Sequence, residues 1–254
     1  MGVLLLQRYF ADEVNANGQL VISGDDYHHV VRVMRMDVGD KLICVDGSGK
    51  SCICTIAEIT DKKINCNVVE CKDGSSELPI RVSIASGLPK GDKLEWIIQK
   101  GTELGADQFV PFTAARSIVK WDEKKADKKV ERWQKIAKEA AEQSHRNKVP
   151  TVHFPINLNA LIEASKNYDC KLIAYEEDSR IGEASVLAKS LKNLEENNTL
   201  FVVFGPEGGL DQKEVEKLQE HGFQTCGLGP RILRTETAPL ALLSAVSYHF
   251  ELSR

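Results

Sequence analysis

GPEGGL, residues 205–210, and GLGPRILRTETAP, residues 227–239, put glycine, proline and threonine where a ligand could meet bare backbone. Glycine permits positive φ and lets a bound molecule approach the main chain, while Pro206 fixes φ and removes a competing donor. Asp211 stands where a helix N-cap belongs. Alone, GPEGGL is a weak motif, because Gly205, Gly208 and Gly209 miss the G-x-G-x-x-G frame and a plain tight turn explains them. The second run changes that balance. It adds Gly227, Gly229 and Pro230, then Ile232 and Leu233 in an irregular stretch, then Thr235 and Thr237 as possible caps of an apolar helix. Apolar residues beside bare backbone suit a flat neutral ring such as adenine, whose edge main-chain N–H and C=O groups can read.

Other chemistries find no support. DGSGKS, residues 46–51, ends like a phosphate-binding loop, but the required first glycine is Cys44 and no helical pattern follows, so a β-hairpin turn is expected. His28 and His29 are adjacent and cannot both face one metal from a helix, so they read as structural and no metal site is expected. The seven cysteines contain no C-x-x-C pair. They read as reduced core residues of a cytoplasmic protein. MGVLLLQRYFADE has neither a charged start nor a cleavage site, and no run is long enough to cross a bilayer, so neither export nor a membrane is expected.

The elements that must position the two glycine runs follow from periodicity. Residues 1–72 carry alternating segments, KLICV, SCICTIAEI and KINCNVVEC, and predict a small β-rich, barrel-like domain. DDYHHVVRVMRM departs from that pattern, with Val30, Val33 and Met34 at helical spacing. KDGSSELP has the composition of a linker, assigned to residues 73–79. From residue 80 to 254 strand and helix alternate: IRVSIASGL then DKLEWIIQKGTELG, QFVPF then a charged helix from about Asp122 to His145, KLIAY then EASVLAKSLKNL, and TLFVVF then the first glycine run. This alternation predicts a mostly parallel sheet with helices on both faces and ligands at the carboxyl ends of its strands. Charge is uneven: net −3 over residues 1–76, +5 over 81–150 and −5 over 151–254. A basic middle in an acidic chain fits one polyanion-facing surface or a solvated lysine-rich helix equally well; the run Lys124–Lys135 is read as the latter.

GPEGGL followed by LGPRILRTETA resembles the signature pair of the SPOUT methyltransferases, and specifically the 16S ribosomal RNA uracil-N3 methyltransferase family. RYF at Arg8–Phe10, HHVVRVMRMDVGD at His28–Asp40, LPKGDKLEWIIQKGTELG at Leu88–Gly105 and EAAEQSHRNKVP at Glu139–Pro150 resemble that family's blocks in order, and His145 departs from a usually small residue. The resemblance implies a PUA-like RNA-binding domain in front and an α/β domain with a deep trefoil knot behind, a feature sequence physics alone would not reach. It implies S-adenosylmethionine as cofactor, held by Gly205, Pro206, Glu207, Gly208 and Gly209 in one loop and Leu228, Gly229, Ile232 and Leu233 in the other. Tyr175 and Glu176 would form a further wall. It also implies a homodimer, in which Pro239, Leu240, Leu243 and Val246 of the C-terminal helix meet their own copy, against the alternative of an ordinary core helix.

The RNA-facing set carried by the resemblance is Arg8, Arg32, Arg35, Lys100, Arg116 and Arg146, arginine being suited to phosphate through its planar fork of donors. The implied reaction methylates N3 of a uridine near the decoding region of 16S ribosomal RNA in the small subunit. Loss of the N3 proton charges the uracil oxygens, so a cation beside them would stabilise the transition state, and Arg234 is assigned that role. Glu236 is a possible proton acceptor or a helix-end charge. A ribose 2′-O-methyltransferase and a non-catalytic ribosome-binding protein are the alternatives.

Overall fold

The computed structural model describes residues 6–72, 74–117, 126–175 and 185–253. The chain divides into two units, Met1–Glu77 with Ala141–Lys148, and Leu78–Ala140 with Val149–Arg254. The segment 141–148 thus groups with the front unit, where the sequence boundaries had it in the second. Spatial proximity of the backbone, invisible to composition, makes that assignment.

The front unit is a six-stranded sheet in the order β1-β4-β5-β6-β3-β2, built from β1 (Arg8–Phe10), β2 (Glu13–Val14), β3 (Leu20–Ser23), β4 (Lys41–Val45), β5 (Ser51–Ile59) and β6 (Lys63–Lys72). β1 and β2 are consecutive pieces of one segment that pairs with β4 at its start and β3 at its end, the Ala11 N–H donating to the Val45 carbonyl at 2.8 Å and the Asp12 N–H to the Val21 carbonyl at 2.9 Å, so the ladder returns on itself. Alternation fills its core with Leu42, Cys44, Cys54, Ile56, Ile64 and Cys66. The run 46–50 is the hairpin turn between β4 and β5: Asp46 Oδ1 accepts the N–H groups of Ser48 at 2.8 Å and Lys50 at 3.0 Å. His29 is structural, its Nδ1 lying 2.9 Å from the Tyr9 hydroxyl.

Two readings of this unit need correction. A short helix, α1 (Gly24–His28), is present, but it widens into a π-helical turn over His29–Val33, closed by the Met34 N–H donating to the His29 carbonyl at 2.9 Å. The extra residue per turn rotates the stripe, so Val30 is buried while Val33 is 65 % exposed and Met34 follows it outward. Nor are all the cysteines reduced: Cys52 and Cys71, register partners on β5 and β6, form a disulfide, and Cys44, Cys54, Cys66, Cys170 and Cys226 are free.

The second unit carries β7 (Arg81–Gly87), α2 (Lys93–Glu103), β8 (Gln108–Thr113), α3 (Ala126–Gln143, its last residues in the front unit), β9 (Thr151–Val152), β10 (Ile156–Asn157), α4 (Leu158–Ala164), β11 (Cys170–Ala174), α5 (Ser185–Asn193), β12 (Thr199–Phe204), α6 (Gln212–Glu220), β13 (Gln224–Cys226) and α7 (Ala238–Ser247). The sheet order is β10-β8-β7-β12-β11-β13 with β9 beside β8, and its strands pair in parallel. Strand residues alternate between two apolar layers. Leu200, Val202 and Phe204 of β12 meet α2, α3, α5 and α7 on one side, while Phe201 and Val203 meet α4 and α6 on the other.

The C-terminal helix spends most of its named face on this chain's own core. Leu242, Leu243 and Val246 are fully buried in this chain's own core, and Pro239 is buried too. Of the named residues, Pro239, Leu243 and Val246 are therefore committed within the subunit, while Leu240 remains partly exposed. Beyond it Tyr248 and Leu252 are 63 % and 73 % exposed. Among the described residues no helix is long and apolar enough to cross a membrane.

Candidate active site

The first glycine loop leaves the carboxyl end of β12 and folds back tightly on itself. A Cβ on Gly205 would stand 2.9 Å from both the Gly209 carbonyl carbon and the Leu210 nitrogen. Only a residue without one fits unless the backbone moves. The same intolerance appears across the sheet at Gly87, where a Cβ would lie 2.6 Å from Pro206 Cδ. The turn closes with the Gly209 N–H donating to the Pro206 carbonyl at 2.8 Å.

Two devices anchor this loop from its far side. Asp211 caps α6 in a reciprocal box: its carboxylate accepts from the Lys213 N–H at 3.1 Å, and its own N–H donates to Glu214 Oε2 at 2.9 Å. The other oxygen of the buried Glu214 carboxylate accepts from the Ala115 N–H at 2.8 Å. Next to it, Arg116 donates to the Gly208 carbonyl at 3.1 Å and reaches Asp211 at 3.4 Å. The loop after β8 is thereby tied to the loop after β12.

The second glycine run brings up the opposite wall. Ile232 is 59 % exposed, an apolar side chain held out of the core. The Arg234 carbonyl accepts from Thr237 N–H at 2.8 Å and Ala238 N–H at 3.0 Å, which starts α7 and leaves the Arg234 side chain exposed. Tyr175, just past β11, is fixed by its N–H donating to the Cys226 carbonyl at 3.0 Å and its hydroxyl donating to Gln212 at 3.2 Å.

Between these walls lies a cleft of about 640 Å³, within the range that holds a ligand of nucleoside size. Residues 205–210, Ile232, Leu233, Arg234, Tyr175, Arg116 and Lys93 line it. The Lys93 ammonium is 2.9 Å from Glu207 and 3.5 Å from Glu236. Burial alone would raise the Glu207 carboxyl, but the Lys93 ammonium and the Lys90 N–H outweigh it and hold the group below its ordinary range. The hydrogen bond that the Lys93 ammonium donates to Glu207 in turn holds that ammonium above its ordinary range.

The structure thus gathers Gly205, Pro206, Glu207, Gly208, Gly209, Ile232, Leu233, Tyr175 and Arg234 at one place. Leu228 and Gly229 do not line the cleft; Leu228 packs against the core, and Gly229 turns the chain with φ +105°. Glu176 lies outside the described residues. Glu236 also stands off the cleft lining, its carboxylate facing Lys93. Lys93 was overlooked because a lysine in LPKGDKLEW has no local pattern that marks it. Its relevance comes from a strand order that sets the start of α2 beside both loops.

The RNA-facing set separates into three groups. Arg32 and Arg35 are exposed in the front unit. Arg116 and Lys100 are engaged elsewhere, Arg116 at the cleft and Lys100 paired with Glu103 at 2.7 Å. Arg146 requires correction, and Arg8 is engaged beside it. Arg146 is 2 % exposed and its fork is held by Glu77, whose Oε1 also accepts the Asn147 N–H at 2.8 Å. Arg8 donates to the Arg146 carbonyl at 2.8 Å and to Ser51 Oγ at 3.1 Å. Arg146 builds the front unit, because a buried guanidinium must be paired where it stands, while the partly buried Arg8 is engaged through the two bonds just given.

A model described as an RNA methyltransferase domain matches residues 76–247, and one described as an RNA methyltransferase PUA domain matches residues 22–69. The chain is 53 % identical over 253 residues to the ribosomal RNA small subunit methyltransferase E of Bacillus subtilis, covering 98 % of this chain and 99 % of that one. A crystal structure described as that of a hypothetical protein is 51 % identical, with a TM-score of 0.89 over 98 % of this chain and 100 % of the other. Ribosomal RNA small subunit methyltransferase E from Neisseria gonorrhoeae, solved bound to S-adenosyl methionine, is 26 % identical with a TM-score of 0.78, covering 95 % of this chain and 97 % of that one. With both domain models in register on the two units and near-complete coverage of such relatives, this chain belongs to the ribosomal RNA small subunit methyltransferase E family of RNA methyltransferases.

Proposed function

We propose that this chain is an S-adenosylmethionine-dependent methyltransferase acting on N3 of a uridine in 16S ribosomal RNA of the small subunit, near the decoding region. The observation that carries this reading is the meeting of the two glycine loops at one cleft, with the exposed guanidinium of Arg234 on its wall. The residues fit the cofactor: backbone bared by Gly205 and Gly209 for its polar edges, and Ile232, Leu233 and Pro206 for a flat ring. When bound, the cofactor supplies a methyl group on a sulfonium, an electrophile needing no metal. Arg234 supplies what the RNA base needs, a cation for the charge that grows on a uracil oxygen as the N3 proton leaves. Arg116 and Lys93 act on the walls rather than on the reacting atoms.

Finer features belong to the same reading. A trefoil knot in the second unit is part of the same reading, and the placement of β12 between the earlier strands β7 and β11 is compatible with it. A homodimer is supported by the exposed Tyr248 and Leu252 beyond α7 and by Trp96, 51 % exposed on α2. The front unit, taken as residues 1–72 with a linker over 73–79, presents Arg32 and Arg35 to RNA, and the protein works in the cytoplasm, where its substrate is assembled.

Mass-mapped ribosomal RNA from cells with and without the protein tests the assignment: one N3-methyluridine in 16S RNA should vanish with the protein. A missing 2′-O-methyl group, or no missing mark, rejects it. In the front unit, Arg32→Ala with Arg35→Ala should weaken RNA binding and lower its salt dependence by about one unit of log–log slope per lost phosphate contact. An unchanged slope in binding titrations from low to moderate salt would exclude both arginines from the interface.

A further inference from the structure

One charged group in the cleft is used by neither loop's motif. Lys93, in the first turn of α2, meets Glu207 Oε1 of the first loop at 2.9 Å and Glu236 Oε2 of the second at 3.5 Å. The Lys90 N–H donates to the same Glu207 oxygen at 3.1 Å. Glu236 Oε2 is buried and makes no hydrogen bond among the described residues, so the nearby ammonium is what compensates its charge. One cation therefore faces a carboxylate from each wall.

We infer that Lys93 is a positioning residue that holds the two glycine loops at the spacing S-adenosylmethionine requires, an inference that rests on reading the cleft as the cofactor site. The carboxylates of Glu207 and Glu236 are 28 % and 19 % exposed, so water screens them incompletely. Without the ammonium, two like charges face each other across the space Nζ occupied, one of them desolvated and unpaired. The loops relax by moving apart, because among the described residues neither carboxylate has another cation in an ion pair. Arg116 is turned to the Gly208 carbonyl and Asp211, and Arg234 lies exposed on the lining. A purely structural role for Lys93 predicts something different. Its side chain is 34 % exposed, and ion pairs at such positions add little to global stability. Its effect should therefore register in ligand affinity and hardly in the unfolding midpoint.

Calorimetric titration of the full-length protein with S-adenosylhomocysteine separates the possibilities, using wild type, Lys93→Met, Lys93→Arg, and Lys93→Met combined with Glu236→Gln. Lys93→Met should bind about tenfold more weakly with a near-unchanged melting temperature, and Lys93→Arg should stay within about threefold of wild type. Adding Glu236→Gln to Lys93→Met should recover about threefold of the loss, since it removes one of the two repelling charges. Affinity of Lys93→Met within about twofold of wild type overturns the inference, and so does a loss that Glu236→Gln fails to relieve, which would mark a direct ligand contact. A folded wild-type protein that does not bind S-adenosylhomocysteine would instead overturn the cofactor reading of the cleft.

Discussion

Arg234→Ala should lower single-turnover methylation by about 10²-fold or more while leaving S-adenosylhomocysteine affinity nearly unchanged, the scale for removing one donor aimed at developing charge. The expectation rests on where the residue stands. The Arg234 backbone is locked into the start of α7 through its carbonyl, so its exposed side chain leaves a fixed point on the cleft wall. A donor held in advance loses little on meeting the transition state. Raising the pH should partly rescue the variant, because more of the uracil imide is deprotonated when it meets the methyl group, and the charge Arg234 would have stabilised is then already formed. Were Arg234 a phosphate contact, the loss would appear in RNA affinity and respond to salt rather than pH. Single-turnover rates from pH 7 to 9, with the product nucleoside identified, decide between them. An N3 product with no rescue keeps the enzyme class and removes Arg234 from this role.

Gly205→Val should weaken S-adenosylhomocysteine binding by at least about 10²-fold, on the scale of an ångström-sized misplacement of a site. The new Cβ would start 2.9 Å from two backbone atoms of the same loop, and backbone cannot yield as a flexible side chain does. The loop must open, carrying Glu207 and Gly208 with it. Gly208→Ala is the matched comparison: its Cβ would meet Arg116 Cβ at 3.1 Å, a tight contact that a shift of a few tenths of an ångström relieves. Its affinity loss should be much smaller. Circular dichroism and thermal melts establish that each variant is folded, and unchanged affinity in folded Gly205→Val would sink the two-loop site.

Much of this was legible in one dimension because it depends on neighbours in the chain. Strand and helix alternation from residue 80 onward predicted the parallel sheet, since each period is set by local geometry. Residues 205–209, 232 and 233 stood out through local backbone needs, glycine turns and an apolar pair in an irregular run, while their assignment to a cofactor and the choice of Arg234 rested on the family resemblance. Asp211 as a cap is local in the same sense, acting on N–H groups within its own turn.

What depends on distant partners had to wait for the tertiary structure. Arg146 reads as a surface cation until Glu77, far away in sequence, is seen to bury it. The stripe of Val30, Val33 and Met34 fails because one π-helical turn shifts the register, a choice made by packing rather than by propensity. Cys52 and Cys71 become partners only through the pairing of β5 with β6. Leu243 and Val246 could have served a core or an interface, since burial looks the same in sequence whichever surface provides it. Lys93 is the sharpest case: its residue type is ordinary and its spacing carries no signal. It matters because the sheet sets the start of α2 against loops more than a hundred residues away in sequence, where one ammonium can reach a carboxylate from each.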